Sequence, residues 1–302
     1  MSTDFSASRL EPTPPEKKRC SAWIYSLTGV GVGLLVGGTM AGLLLVWIFN
    51  LRTSSFRVQT DSCLKQCALG LHNYHDAFRK LPDAYNNSRD HRDRFKSAWF
   101  KLLPYVEQDI VFVNDRSDAV IPVYRSPLDP LDQDSPGKLS FAANLRVFAF
   151  ETLGKNVADN IGVAFAPPEK AICGLSLPMI ADGTSNVILL TTRRAECDGE
   201  FTEYNRAPNE SPRGGFFGAG SHMLPPARGF KNANDLMFQI MPGHEECNAV
   251  AGVYGHAFTP ESMSVALCDG STRNVSSKMS PSTFMRALCP SDGQPLGAEW
   301  FE

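Results

Sequence analysis

The run from Cys20 to Leu51, near the N-terminus, contains no charged side chain. Its apolar core extends from Trp23 to Phe49, and about 20 apolar residues are enough to span the hydrocarbon core of a bilayer. Tryptophan lies near both ends, at Trp23 and Trp47, as is typical of the two membrane interfaces. The sequence therefore predicts one transmembrane helix at residues 22–49.

A cleaved signal peptide is the alternative for this run. Signal peptides have an apolar region of only about 7–15 residues, so we expect an uncleaved anchor instead. Lys17, Lys18 and Arg19 precede the run and favour a cytoplasmic N-terminus, although Arg52 and Arg57 beyond it weaken that bias. We predict a single pass through the cytoplasmic membrane. The predicted order is a disordered cytoplasmic tail (1–21), the transmembrane helix (22–49), a juxtamembrane linker (50–60) and an extracytoplasmic domain (61–302).

Glycines recur within the apolar run at a spacing of four. Gly29, Gly33 and Gly37 form one series, and Gly38 and Gly42 form another. Small residues at this spacing allow two membrane helices to approach closely, although glycine is also common in membrane helices that do not associate. We predict that these glycines mediate helix packing.

Charge and cysteine content narrow the partners and the compartment. The formal net charge is -3, which gives no bulk electrostatic reason to expect a nucleic-acid partner. Of eight cysteines, only Cys20 precedes the anchor core, which leaves an odd number in a compartment where disulfides can form. One to three disulfides are expected, with a connectivity that sequence alone does not give.

The residues after the linker show an α+β pattern. Asp61 is a candidate helix cap, and apolar residues then follow at spacings of three and four, at Leu64, Cys67, Leu71, Tyr74 and Phe78. Pro82 ends this helix, and Ser97 to Phe112 predicts two short helices. Short apolar runs and Asp-Gly turns dominate the rest, including a hairpin from Met263 to Ser276. We predict an amphipathic helix packed on an antiparallel β-sheet, followed by a β-rich C-terminal part.

Several motifs occur in the order found in a known family. They are LHNYHDAFRKLPDAY, SAWFKLLPYVEQ, MIADGTSNVILL, a histidine ahead of CDGSTRNVSS, and the tail DGQPLGAEW. Together they resemble the domain-of-unknown-function 1559 family, which is abundant in planctomycete-type bacteria. We expect a structural role for the motif residues, which are Leu71, His72, Asn73, Tyr74, His75, Asp76, Asp182, Gly183, Thr184, Ser185, Asn186, His256, Asp269 and Gly270. The resemblance implies a pilin-like exported protein, whose long N-terminal helix anchors in the membrane and packs on a sheet, and it carries no catalytic residues.

The chain departs from the family pattern in four places. The prepilin cleavage signal, with its glutamate, is replaced by KKRCSAWIYS. A stretch rich in Thr, Ser and Val interrupts the helix between anchor and domain. YRSPLDP stands where the family has Cys-Pro-Ser-Asp, and twelve residues rather than nine separate His256 from Asp269.

Two other groups of residues are candidates for metal binding. His72, His75 and Asp76 have helical spacing, but a metal needs three or four converging ligands, so we expect these imidazoles to make structural hydrogen bonds. The acidic loop from Asp129 to Gly137 lacks the distal carboxylate of a calcium loop and reads as a turn. No metal, cofactor or catalytic residue is predicted.

The leading functional interpretation is a membrane-anchored, non-enzymatic, pilin-like envelope protein that acts through protein–protein contacts. Its expected partners are the lipid bilayer and either further copies of itself or other envelope proteins. One alternative is an extracytoplasmic module that binds a small solute or polysaccharide in a cleft lined by aromatics such as Phe216, Phe217, Phe230 and Phe238. A second alternative is a hydrolase, which would need His244, Glu246 and His256 in one deep pocket.

Overall fold

A computed structural model of the chain describes residues 19–84, 96–131, 133–148, 150–151, 172–197, 199–205, 215–217, 238–243, 247 and 255–301. The chain forms two compact units, which divide between Ser54 and Ser55. No helix within the described residues combines the length and the apolarity that crossing a membrane requires. The predicted transmembrane helix at 22–49 is therefore not found in that part of the chain, and most of the predicted tail at 1–21 lies outside it.

Helix α1 extends over Arg19–Phe78 without a break. The expected interruption at residues 50–60 is wrong, and the helix does not begin at Asp61, because the stretch LRTSSFRVQT is helical throughout. Helix α1 ends close to the expected place, since Arg79 adopts a positive φ of 62° ahead of Pro82.

The other helices are short. They are α2 (Ala98–Leu102), α3 (Asp109–Val113), α4 (Leu145–Phe148) and α5 (Pro281–Leu288), with a 3-10 turn at Leu103–Val106 between the first two. Ser97 caps α2, because its side chain accepts a hydrogen bond from the backbone N–H of Phe100. The pair of short helices predicted around Pro104 is thus confirmed.

Eleven short strands lie within the described residues. They are β1 (Phe141–Asn144), β2 (Phe150–Glu151), β3 (Ile172–Cys173), β4 (Ile188–Thr192), β5 (Glu196–Cys197), β6 (Glu200–Phe201), β7 (Phe216–Phe217), β8 (Phe238–Ile240), β9 (Gly255–Ala257), β10 (Ser262–Leu267) and β11 (Thr272–Ser276). Five of them form the central sheet in the order β11-β10-β4-β1-β7. The predicted hairpin is confirmed as β10 and β11, with Gly270 at a φ of +83° in the turn.

The α+β class is confirmed, but the expected antiparallel sheet is wrong in one respect. Strand β7 runs parallel to β1, with Ala143 opposite Phe216, so the sheet is mixed. A parallel neighbour needs a long crossover connection, and here more than seventy residues separate β1 from β7. Local sequence pattern carries no signal for such a distant pairing.

The sheet has a hydrophobic core on each face. Side chains alternate across the pleat, so Ala143 and Ala266 join the core that contains α1, while Ala142 and Val265 join the opposite core with Phe284 of α5. Among the described side chains of α1, the buried ones are Thr60, Leu64, Cys67, Ala68, Leu71 and His75. The predicted stripe is correct for its first three members, whereas Tyr74 is half-buried and Phe78 is 55% exposed.

Candidate functional site at the junction of the sequence motifs

His75 lies on the last turn of α1 and faces the segment that follows β3. Its Nε2 accepts a hydrogen bond from the backbone N–H of Leu177 at 3.3 Å, and the Ser176 hydroxyl lies 3.2 Å from the same nitrogen. Because Nε2 accepts from a backbone N–H, the proton of the neutral ring is on Nδ1, which is 3.8 Å from the Asp76 carboxylate. The ring therefore joins the end of α1 to residues 176 and 177.

His72 lies one helical turn earlier and covers the turn of the β10–β11 hairpin. A Cβ placed on Gly270 would be 3.3 Å from the His72 Nε2, so any larger residue there would crowd the ring. The Nε2 atom is buried and has no hydrogen-bond partner among the described residues. His72 thus contacts the hairpin through packing, whereas His75 bonds to its neighbours.

The DGTSN motif forms the loop that receives this same hairpin turn. The N–H of Asp269 donates to the carbonyl of Thr184 at 3.0 Å, and the N–H of Cys268 donates to the carbonyl of Val187 at 2.9 Å. Within the loop, the Asn186 amide donates to the carbonyl of Asp182 at 2.8 Å. Gly183 has a φ of +92°, which a residue with a Cβ rarely adopts, and Ser185 is exposed.

The Asp182 carboxylate binds the C-terminal tail. Its Oδ2 accepts from the N–H of Asp292 at 2.8 Å, and its Oδ1 accepts from the N–H of Gly293 at 2.9 Å. Burial and the nearby Asp182 charge raise the pKa of Asp292. Four separate segments (the end of α1, the DGTSN loop, the hairpin turn and the tail) therefore meet at one end of the sheet, which we call the motif junction.

The remaining residues of the helical motif have different surroundings. Leu71 belongs to the core, whereas Asn73 and Asp76 are exposed. Tyr74 packs against Tyr105, with ring centroids 5.4 Å apart, and burial raises its pKa to about 12. These residues place α1 against the domain and do not converge on a common point.

His256 does not belong to the motif junction. It lies in β9, fully buried, and its Nδ1 accepts the N–H of Arg194 at 3.0 Å. Burial, together with the charges of Arg193 and Arg194, holds the pKa of His256 well below its usual value. The resemblance groups His256 with the hairpin turn, but the turn contacts His72, while His256 packs against Cys247.

Cys197, Cys247 and His256 offer the arrangement closest to a metal site within the described residues. Their ligand atoms lie within 4.8 Å of one another, and all three residues are buried. The two sulfurs are joined in a disulfide, however, and a disulfide has no thiolate to give a metal. The histidine Nδ1 is already the acceptor for Arg194, and the nearby arginine charges oppose a bound cation. The arrangement thus fits a structural disulfide better than a metal.

Other candidates from the sequence take structural positions or lie outside the described residues. Asp129 of the acidic loop is buried and accepts from the Ser140 hydroxyl at 2.7 Å and the N–H of Ala195 at 2.8 Å. Phe216, Phe217 and Phe238 are buried in the two cores. His244, Glu245, Glu246 and Phe230 lie outside the described residues.

A cavity of about 340 Å³ opens beside the motif junction. Its walls come from the DGTSN loop, from α5 and from the tail. Arg286 of α5 is the basic side chain that the described residues contribute to this lining, and it donates to the carbonyl of Pro295 at 2.7 Å. Sequence reasoning gave Arg286 no role and placed Asp292 and Gly293 only within the tail motif, because nothing local in the tail indicates that it pairs with Asp182.

Residues 52–126 match the family described as "Protein of unknown function (DUF1559)". The predicted resemblance to this family is confirmed. The match covers the second half of α1, with LHNYHD, and the helical pair around Pro104. No curated protein and no solved structure matches the chain.

Proposed function

We propose that the chain is a membrane-anchored, non-enzymatic, pilin-like protein of the cell envelope that acts through protein–protein contacts. The observation that carries the proposal is the composition of α1. One helix, Arg19–Phe78, contains both the uncharged run and the stripe that enters the core of the α+β unit. A pilin-like protein uses one N-terminal helix in these two ways.

Exposure in the first part of α1 supports the anchor. Large apolar side chains lie open on several sides of the helix, including Leu43 at 71%, Trp47 at 61% and Ile48 at 54%. An apolar surface of this kind is costly in water and is typical of a helix that contacts lipid or another protein. We therefore retain the membrane helix at 22–49 as a proposal that rests on the sequence and on these exposed side chains.

The Cys197–Cys247 disulfide supports an extracytoplasmic position for the α+β unit. Disulfides persist in oxidising compartments and are rare in the cytosol. The bond joins residues that are 50 positions apart, and both sulfurs are buried. Together with Lys17, Lys18 and Arg19 ahead of the apolar run, this favours a cytoplasmic N-terminus and an outer C-terminal unit.

The hydrogen bonds at the motif junction support a role without catalysis. His75 is bonded to Ser176 and Leu177, and both oxygens of Asp182 accept backbone N–H groups of the tail. Their polar atoms hold segments together, and a general acid or base must instead reach a substrate proton. Three of the four phenylalanines named for an aromatic cleft are core residues, which favours the anchor over that alternative.

Cell fractionation with N-terminal sequencing tests the proposal. Cells are sheared, surface filaments are separated from membranes, and the protein is sequenced in each fraction. An intact N-terminus in membranes, resistant to carbonate extraction, is the expected result. A trimmed N-terminus in the sheared fraction would indicate a processed filament subunit, and an intact chain in the soluble fraction would contradict the anchor.

A charged variant shows whether the apolar run is responsible. Leu43→Arg with Leu44→Arg places two charges in the centre of the run, where each costs about 2.5–3.5 kcal/mol on translocon-insertion scales. We expect this variant to leave the membrane fraction. Leu69→Arg is the matched control, because Leu69 is an exposed leucine of α1 in the other unit. If both variants fractionate like the wild type, the run is not the anchor.

A further inference from the structure

The cavity beside the motif junction has the size and lining of a ligand site, and we propose that it binds a small zwitterion of the free amino acid or dipeptide type. Its volume of about 340 Å³ is at the lower end of the range of about 300–1,000 Å³ that is typical of ligand pockets. The proposed function assigns no role to this cavity, so the inference is independent of the membrane anchor.

The walls of the cavity are held in place by hydrogen bonds between three segments. Asp182 binds the tail through Asp292 and Gly293, and Arg286 holds the tail from the other side through the carbonyl of Pro295. The Asn186 amide closes the loop on the carbonyl of Asp182. A site that exists before the ligand arrives loses little conformational entropy on binding.

Opposite charges in the lining indicate the class of ligand. The Arg286 guanidinium carries five N–H donors, of which the structure shows one bonded, to Pro295. The donors that bond to no described residue suit a carboxylate, which arginine can bind through two parallel hydrogen bonds. Asp182 is the acidic member of the lining, and its two oxygens each keep a further lone pair for an ammonium group.

The rest of the lining favours an amino acid over a sugar. Asn186 and Gln294 present carboxamides, while Pro295 and Leu296 provide an aliphatic surface for a small side chain. Among the described residues, no aromatic side chain lines the cavity for a sugar ring to stack on. A ligand with one negative end, one positive end and a short apolar side chain satisfies all of these groups at once.

Calorimetric titration of the full chain in detergent micelles tests the inference. The probes are glycine, L-alanine, L-leucine and L-alanyl-L-alanine. Acetate and ethylamine carry only one of the two charges, and glucose carries neither. We expect the zwitterions to bind and the singly charged probes to bind at least about tenfold more weakly, because each charge-assisted hydrogen bond contributes about a factor of ten or more.

Three variants locate the binding. Arg286→Gln removes the charge, and Leu296→Trp fills the cavity, and each should weaken binding of the zwitterion about tenfold or more. Gln294→Ala, at an exposed position, tests the lining if the other two variants fail to fold. Arg116→Gln is the matched control, an exposed arginine paired with Asp118 outside the lining.

The outcomes separate cleanly. Zwitterion binding that these variants weaken and the control preserves supports the inference. Absence of heat with every zwitterion overturns it, as does equal binding of acetate alone, preferential binding of glucose, or an affinity that no lining variant changes. None of these results affects the fractionation test of the anchor.

Discussion

Single side chains of the LHNYHD motif stabilise the unit through two different kinds of contact. His75 Nε2 accepts a hydrogen bond from the N–H of Leu177 and contacts the Ser176 hydroxyl, both about a hundred positions later in the chain. His72 makes no hydrogen bond at Nε2 among the described residues but fills the space above Gly270. The two contacts give different predictions for substitution.

We predict that His75→Ala lowers the free energy of unfolding by roughly 2–3 kcal/mol. The substitution removes the acceptor of the partly buried Leu177 N–H. It also leaves a void where the His75 ring was, because His75 is only 8% exposed. Urea unfolding of the wild type and the variant measures the loss. Asn73→Ala, at an exposed position on the same helix, is the control and should change the value by less than about 0.5 kcal/mol.

Gly270 and His72 should be energetically coupled. Gly270→Ala imposes a left-handed conformation on a residue with a Cβ, at a cost of about 1–2 kcal/mol, and crowds the His72 ring. Gly199→Ala is the matched control, since Gly199 has a φ of +72° and open space around its Cβ position. In a double-mutant cycle, His72→Ala should cancel the part of the Gly270→Ala stability loss that comes from crowding and leave the backbone part unchanged. Additive losses in the cycle would contradict the contact.

At the scale of elements, the disulfide between β5 and Cys247 is the covalent link found among the described residues. Cross-linking two positions 50 apart restricts the unfolded chain, which stabilises the fold by about 2–4 kcal/mol. We predict a loss of this size on reduction, or in a Cys197→Ser with Cys247→Ser variant, seen as a lower urea midpoint. Reductant should leave the midpoint of that double variant unchanged.

Free thiols give the control for this prediction. Cys63, Cys67 and Cys268 form no disulfide in the structure, and burial raises the pKa of all three thiols. These thiols should react slowly in the folded protein and fully in urea. A Cys63→Ser variant should retain the reductant-sensitive midpoint of the wild type. If its midpoint no longer responds to reductant, the pairing is different.

The sequence predicts elements well where the signal is local. The β10–β11 hairpin follows from alternation around an Asp-Gly turn, and α1 ends near Pro82 as expected. His75 is buried, whereas Phe78 of the predicted stripe is exposed. This difference depends on the segment at Ser176, which lies far along the chain. The pairing of β7 with β1 and the hydrogen bonds from the tail to Asp182 also join distant parts of the chain. Local patterns therefore could not predict the mixed sheet or the cavity.

At the scale of the whole molecule, the first part of α1 offers glycine surfaces for association between copies of the chain. An added Cβ at Gly37, Gly38 or Gly42 would meet no atom of the described residues within 4 Å, so that part of the chain does not cover these glycines. At 3.6 residues per turn, Gly33 and Gly37 lie on roughly the opposite side of the helix from Gly38 and Gly42. Two separate surfaces are therefore available for close helix packing.

We predict that Gly33→Leu with Gly37→Leu weakens self-association in a membrane reporter assay. Leucine holds two backbones apart where glycine allows contact, and interhelical packing in lipid depends on that close approach. Gly38→Leu with Gly42→Leu makes the same change in size on the other side of the helix. A loss confined to the first pair identifies one packing surface, and a loss with both pairs means that each helix packs against two neighbours, as in a filament. If association persists in both double variants, the glycines have no packing role. The exposed leucines around Leu43 would then contact lipid alone.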